Sequence, residues 1–319
     1  MTQRPRSRII LAASLAVVGG AGMAVQSRVN GQLGADLGDG YLAAVISFGS
    51  GLVILAVLML CLPGARRGLR TVIGRVRARE TPWWFLLGGA GGSFLVLSQG
   101  LTSAILGVAL FSIGIVCGQT VSGVLVDRVG IGSMAPRPIT AQRLFGAALA
   151  LVAVGIAGSS QIGEGSSFWL LLFPFVSGLV VAWQQAVNGQ VKAIAGSAIA
   201  AAFVNFVAGT TVLIIAFAIH TGFVGLPEAL PTNPILYIGG PIGVIFIAVS
   251  AAIVGITGVL LLTLGTISGQ LLMSIVLDLV VPAEGHDFHW TALVGTGVAL
   301  VAVVIVATAT RGPRGTSPS

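Results

Sequence analysis

Two short stretches carry side-chain amides at helical spacing in apolar surroundings. The first reads Gln26-Ser27-Arg28-Val29-Asn30-Gly31-Gln32, and the second Gln184-Gln185-Ala186-Val187-Asn188-Gly189-Gln190. A Gln and an Asn four residues apart share one face of a helix. In an apolar setting their carboxamides need hydrogen-bonding partners, from a neighbouring helix or from a polar solute. Further polar groups fall at matching places: Gln119 with Gln270, and Ser47 with Asn205. Two amide layers are expected, Gln26, Asn30 and Gln270 in one and Gln184, Asn188 and Gln119 in the other. Either suits a neutral or zwitterionic solute with several hydrogen-bonding groups. The same amides would serve as bonds between helices, at roughly 0.6–2 kcal/mol each. Each Asn-Gly-Gln also reads as a helix stop with Gly as the cap, the reading taken for Gln32 and Gln190.

Arg28 is the sole charge well inside an apolar run, and its counterpart is Ala186. It can snorkel to the outer surface, pair with Asp36 or Asp39, or hold an anionic solute. Trp183, beside Gln184, can stack on a planar or cationic solute or face lipid and helices. Pro174 and Pro241 are candidates for kinks that turn carbonyls toward a cavity. No Asp or Glu lies near the middle of an apolar run, so no buried carboxylate can exchange protons for lipophilic cations. His220, His286 and His289 fall in loops or at run ends, and Cys61 and Cys117 have no metal-site spacing. Neither an enzyme nor a metal or cofactor protein is indicated.

The elements that must hold these residues are membrane spans. The chain has 319 residues, 55% hydrophobic and 8% charged, where a soluble domain has about a quarter charged. Its mean hydropathy is +1.03. An N-terminal signal peptide cleaved near Ala21-Gly22-Met23-Ala24 would sever the first run from its motif, so that run is read as an uncleaved span. Ten apolar runs are long enough to cross, at about 9–33, 41–62, 83–100, 104–126, 141–158, 168–191, 199–219, 235–252, 256–277 and 291–310. Two cuts follow from length. A helix over 81–126 would reach about 68 Å against a core of about 30 Å, so a turn is expected near Gln99-Gly100-Leu101-Thr102. Gly255 to Gly258 offers the break in 235–277. With the N-terminus inside, 15 of the 16 Lys and Arg fall in cytoplasmic segments, six of them in the basic 63–82 loop. The acidic residues Asp36, Asp39, Glu164, Glu228, Asp278, Glu284 and Asp287 fall outside, which orients both termini inward. The charge balance of +7 is thereby explained without nucleic acid.

The halves repeat. A shift of 158 brings Gly38 onto Gly196, Phe48 onto Phe206 and Gly51 onto Gly209. A shift of 151 then brings Gly88, Gly89 and Gly92 onto Gly239, Gly240 and Gly243, Gln119 onto Gln270, and Asp127 onto Asp278. Five spans per half is an odd number, so the halves, residues 1–158 and 159–319, should lie upside down to each other. Inverted repeats are a transporter architecture.

Ten spans as five plus five, with the doubled Gln-x-x-x-Asn-Gly-Gln followed by Phe48 and Gly51, resemble the drug/metabolite transporter superfamily and, within it, the bacterial YdcZ-type inner-membrane group. The resemblance covers nearly the whole chain. It implies an all-α, ten-span, inverted-repeat carrier of a small polar metabolite or drug-like solute in the cytoplasmic membrane. It also implies alternating access by spans 1–4 against 6–9, with spans 5 and 10 peripheral. The expected substrate-binding set is Gln26, Arg28, Asn30, Gln119, Trp183, Gln184, Asn188, Asn205 and Gln270. The expected partners are the solute and the lipid bilayer, with a homodimer allowed. A non-transporting sensor or assembly protein, or a passive channel, stands as the alternative.

Overall fold

A computed structural model describes residues 6–129, 139–159, 167–226, 229–281 and 290–309. Arg4, Arg137, Glu164, Glu228, Glu284, His286, Asp287, His289, Arg311 and Arg314, on which part of the orientation reading rests, lie outside the described residues.

The described residues are helical, without strands. In order they form α1 (Arg6–Leu37), α2 (Gly40–Cys61), α3 (Pro63–Arg77), α4 (Gly88–Ser98), a π turn (Gln99–Ser103), α5 (Ala104–Leu106) and α6 (Val108–Val129). Then come α7 (Ala141–Gly158), α8 (Leu172–Ala195), α9 (Ala198–Val224), α10 (Gly239–Val280) and α11 (Trp290–Ala309). Seven helices among the described residues are long and apolar enough to cross a membrane. Residues 265–280 and 290–305 are shorter apolar helices.

Several expected boundaries move. The amide motifs do not end their helices. α1 runs on to Leu37 and α8 to Ala195, and the left-handed residues that stop them are Gly38 (φ 61°) and Gly196 (φ 59°). A Cβ resists that conformation, so glycine is the residue for it. The next helices start at once. The Asp39 carboxylate accepts from the Tyr41 and Leu42 amides at 2.8 and 3.0 Å, and Ser197 Oγ accepts from Ala200. The turn expected at Gln99–Thr102 lies further on, at Gly107 (φ 76°), because Gln99 stays in the helix and points inward. After it, the Asp278 carboxylate accepts from the Val108 and Ala109 amides at 2.9 and 2.7 Å, capping α6. Pro174 and Pro241 each stand third in their helices. In the first turn a proline breaks no internal hydrogen bond, so the kink reading fails there. The basic 63–82 segment is not a plain loop, since α3 occupies most of it.

α10 needs a geometric argument. Helical residues run from Gly239 to Val280, 42 in all. A straight helix of that length would reach about 63 Å. Yet Gly19 of α1 lies against Phe246, while its neighbour Gly20 lies against Thr266 and Gln270. Phe246 and Thr266 would stand about 30 Å apart on a straight axis. The path therefore reverses between Ile253, which clusters with Ala12 and Ala16, and Gly265, which touches Ala13 and Ala16. α1 lies between the two arms.

The core sits around α6, whose turn and first half are buried without interruption from Leu106 to Gly118. Leu110, Phe111, Ile113 and Val116 pack there with Leu95, Ile267, Leu271 and Val303. At the middle, Phe48 and Phe206, which the 158 shift relates, stack at 4.8 Å between ring centres. α7 and α11 pair through Ala153, Ala157, Gly295 and Ala299.

Candidate functional site

Each motif helix is clasped by glycine-lined helices of the opposite half. Gly239 and Gly243 of α10 lie against Asn30 and Gln26, and Gly88 and Gly92 of α4 lie against Asn188 and Gln184. A Cβ at Gly20 would collide with the Thr266 carbonyl, and one at Gly178 with the Ile115 carbonyl. A Cβ at Gly269 would meet the Val17 carbonyl, and one at Gly118 the Phe175 carbonyl. All these contacts obey the two shifts, 158 for the first residue set and 151 for the second. The glycines let backbones approach closely where lipid supplies no hydrophobic drive between helices.

The amides inside these crossings are engaged with protein. In the second half, Gln184 Nε2 and Asn188 Nδ2 both donate to Asn205 Oδ1, at 2.9 and 3.1 Å. Asn205 is 2% exposed. The first half has Ser47 at that place, and the pattern changes. Gln26 Nε2 donates to the Gly239 carbonyl at 2.8 Å, and Asn30 Nδ2 donates to Gln99 Oε1 at 2.7 Å. Gln99 Nε2 donates in turn to Ser27 Oγ at 3.0 Å, and Ser27 Oγ to the Met23 carbonyl. Asn30 Oδ1 and Ser47 Oγ, both buried, have no hydrogen-bond partner among the described residues. Spacing places neither Gln99 nor Asn205 in an amide layer, yet Asn30 bonds the one and Asn188 the other.

Gln99 was absent from the expected set. The sequence pattern places it in a turn, and the signal that finds it is an amide following a long uncharged apolar run. Gln32 bonds Asp36 at 2.7 Å on the surface. Arg28 is half-buried on α1. The Asp39 carboxylate, one of its expected partners, lies 3.8 Å from His220 Nε2. Trp183 stacks on Trp84, 6.4 Å between ring centres, and packs in the cluster of Val72, Phe85, Val187 and Val191. That is the helix-facing alternative.

Gln119 and Gln270 differ from the rest. Gln119 is half-buried and Gln270 is 4% exposed, and no hydrogen bond among the described residues engages either carboxamide. Each sits at a tight crossing: the Gln270 backbone amide against Gly20, that of Gln119 against Gly178.

Comparison with known proteins adds three findings. The profile of a family described as "Putative inner membrane exporter, YdcZ" matches residues 11–156 and 169–305. A solved structure, titled only as the crystal structure of a protein, shares 16% identity with the chain. It superposes with a TM-score of 0.55 over 96% of this chain and 99% of that one, a likeness of fold alone. No curated protein matches.

Proposed function

The chain belongs to the YdcZ family of the drug/metabolite transporter type, a membrane transporter family, and we propose that it carries a small polar solute by alternating access between two inverted five-helix halves. The observation that carries this reading is the duplicated set of interhelical contacts. α1 of one half lies between the arms of α10 in the other, and α8 packs on α4 and α6. On this reading the seven long apolar helices, the two arms of α10 and α11 make ten spans, with both termini in the cytoplasm. Two crossings built alike and facing opposite sides would close alternately, and their exchange would open the solute path to either face.

Gln119 and Gln270 are proposed as the solute contacts, since their amides are unspent while Gln26, Asn30, Gln184, Asn188 and Asn205 hold helices together. No Asp or Glu lies near the middle of a described span, which favours a neutral or zwitterionic solute. Arg28 is a second contact only for a solute bearing an anionic group.

The test begins with a thermal-shift screen of the purified protein against amino acids, sugars, nucleosides and amines. Mass action raises the melting temperature with a true ligand. Counterflow in proteoliposomes with each stabilising solute then decides. A carrier exchanges labelled for unlabelled solute, whereas a leak marks a channel and no flux marks a sensor. Either of the last two results retires the carrier reading.

A further inference from the structure

We propose that α3 is a headgroup-binding helix, which lies along the membrane surface and holds the phosphates of anionic phospholipids. The helix has two faces. Ala65, Gly68 and Val72 are buried, and a Cβ at Gly68 would collide with the Ala195 carbonyl at the end of α8. This contact keeps α3 flat against the bundle. The opposite side carries Arg66, Arg70, Ile73 and Arg77, spaced four, three and four residues apart and therefore in one stripe. All four are exposed, and Arg67, Arg75 and Arg79 flank them, also exposed. The acid at hand is Glu80, 4.0 Å from Arg75, with both side chains more than half exposed.

Position supplies the occupant. α3 follows α2 after the single residue Leu62, and the end of α2 presents Val57 and Leu60 outward, 53% and 70% exposed. Beyond α3, Trp83 is 66% exposed, an aromatic of the kind that marks the edge of a bilayer. Arginines held at that edge face phosphates, which a guanidinium grips with two parallel hydrogen bonds. Ile73, 39% exposed within the stripe, can dip into the acyl boundary.

The end of α3 gives an independent observation. The Glu80 amide donates to the Arg75 carbonyl and the Arg79 amide to that of Val76, closing the helix around a left-handed residue. That residue is Arg79, with φ 58°, where glycine would be unstrained. A charge is kept at a conformational cost. Among the described residues the second half has no helix that matches α3, where the corresponding stretch is seven residues shorter. Its role is therefore outside the symmetric transport machinery and does not depend on the solute.

Native mass spectrometry of the detergent-purified full chain, with phosphatidylglycerol or phosphatidylcholine added, tests the proposal. Wild-type protein should retain phosphatidylglycerol preferentially. The Arg66→Gln/Arg70→Gln/Arg77→Gln variant should lose affinity by about fivefold per arginine removed, with its lipid-free melting temperature unchanged. Arg79→Gly should raise the melting temperature while lowering phosphatidylglycerol retention. Equal retention of both lipids by wild type, or equal phosphatidylglycerol retention by wild type and triple variant, overturns it. If the triple variant fails to fold, depth decides: a dye on Ile73→Cys, in a Cys61→Ser background, should be quenched by shallow lipid-borne quenchers in phosphatidylglycerol vesicles. A dye that remains fully aqueous overturns the proposal.

Discussion

Asn205 Oδ1 takes both amides of the second motif, while Ser47 takes neither amide of the first. One side-chain difference therefore makes the two crossings chemically unequal. Asn205→Leu should leave the Gln184 and Asn188 amides without an acceptor and destabilise the protein by about 1–3 kcal/mol, read as a fall in the unfolding midpoint in micelles. Ser47→Asn should do the reverse at the other crossing. It offers a side-chain amide donor to Asn30 Oδ1, which has no partner among the described residues, so the melting temperature should rise and solute exchange should slow. Among the described residues, no hydrogen bond engages the side-chain amides of Gln119 and Gln270. Gln119→Leu and Gln270→Leu should keep or slightly raise the melting temperature without solute, yet abolish the solute-dependent shift. A shift preserved in both variants would move the solute site elsewhere.

Among the elements, hydropathy and length reveal where helices lie, because each span must be apolar over a fixed thickness. They do not reveal where a helix ends. Gly31 follows Asn30 inside α1 and Gly38 follows Leu37 at its end, and the one that stops the helix is followed by a residue able to cap the next, Asp39. Gly31 instead faces Ser103 and Ala104, a contact no local pattern announces. The amide pairs were legible as groups needing partners, but their partners depend on which helices touch, so Gln99 and Asn205 took roles that spacing alone could not assign. The matching motif positions can be separated by experiment. A Cβ at Gly31 would come within 2.9 Å of the Ser103 Cβ and Ala104 amide, whereas one at Gly189 meets nothing within 4 Å. Gly31→Ala should cost about 1–3 kcal/mol through overpacking. Gly189→Ala, in an exposed stretch of α8, should stabilise by about 0.5–1 kcal/mol. Equal effects in chemical unfolding would mean that the α1 crossing is looser than its glycines indicate.

At the scale of the molecule, everything turns on the path of α10. If it were straight it could not cross a bilayer about 30 Å thick as one span, and the second half would lack a counterpart to the turn at Gly107. The contacts of α1 with both arms demand reversal, and on the ten-span reading proposed above reversal makes the spans even in number and the two halves alike. Cross-linking can establish the path directly. In a background with Cys61→Ser and Cys117→Ser, the pairs Gly19→Cys with Phe246→Cys and Ala16→Cys with Gly265→Cys should each form a disulfide in membranes. The first pair joins α1 to the descending arm and the second joins it to the returning arm, since Gly19 touches Phe246 and the Ala16 Cβ lies 2.8 Å from a Cβ built at Gly265. On a straight helix residues 246 and 265 would be about 28 Å apart, while residues 16 and 19 are separated by about 4.5 Å along α1. One straight helix can therefore satisfy at most one pair. Formation of both within a single chain, seen as mobility shifts at unchanged mass, requires the fold-back. If only one forms, α10 extends past α1, and the second half cannot mirror the first.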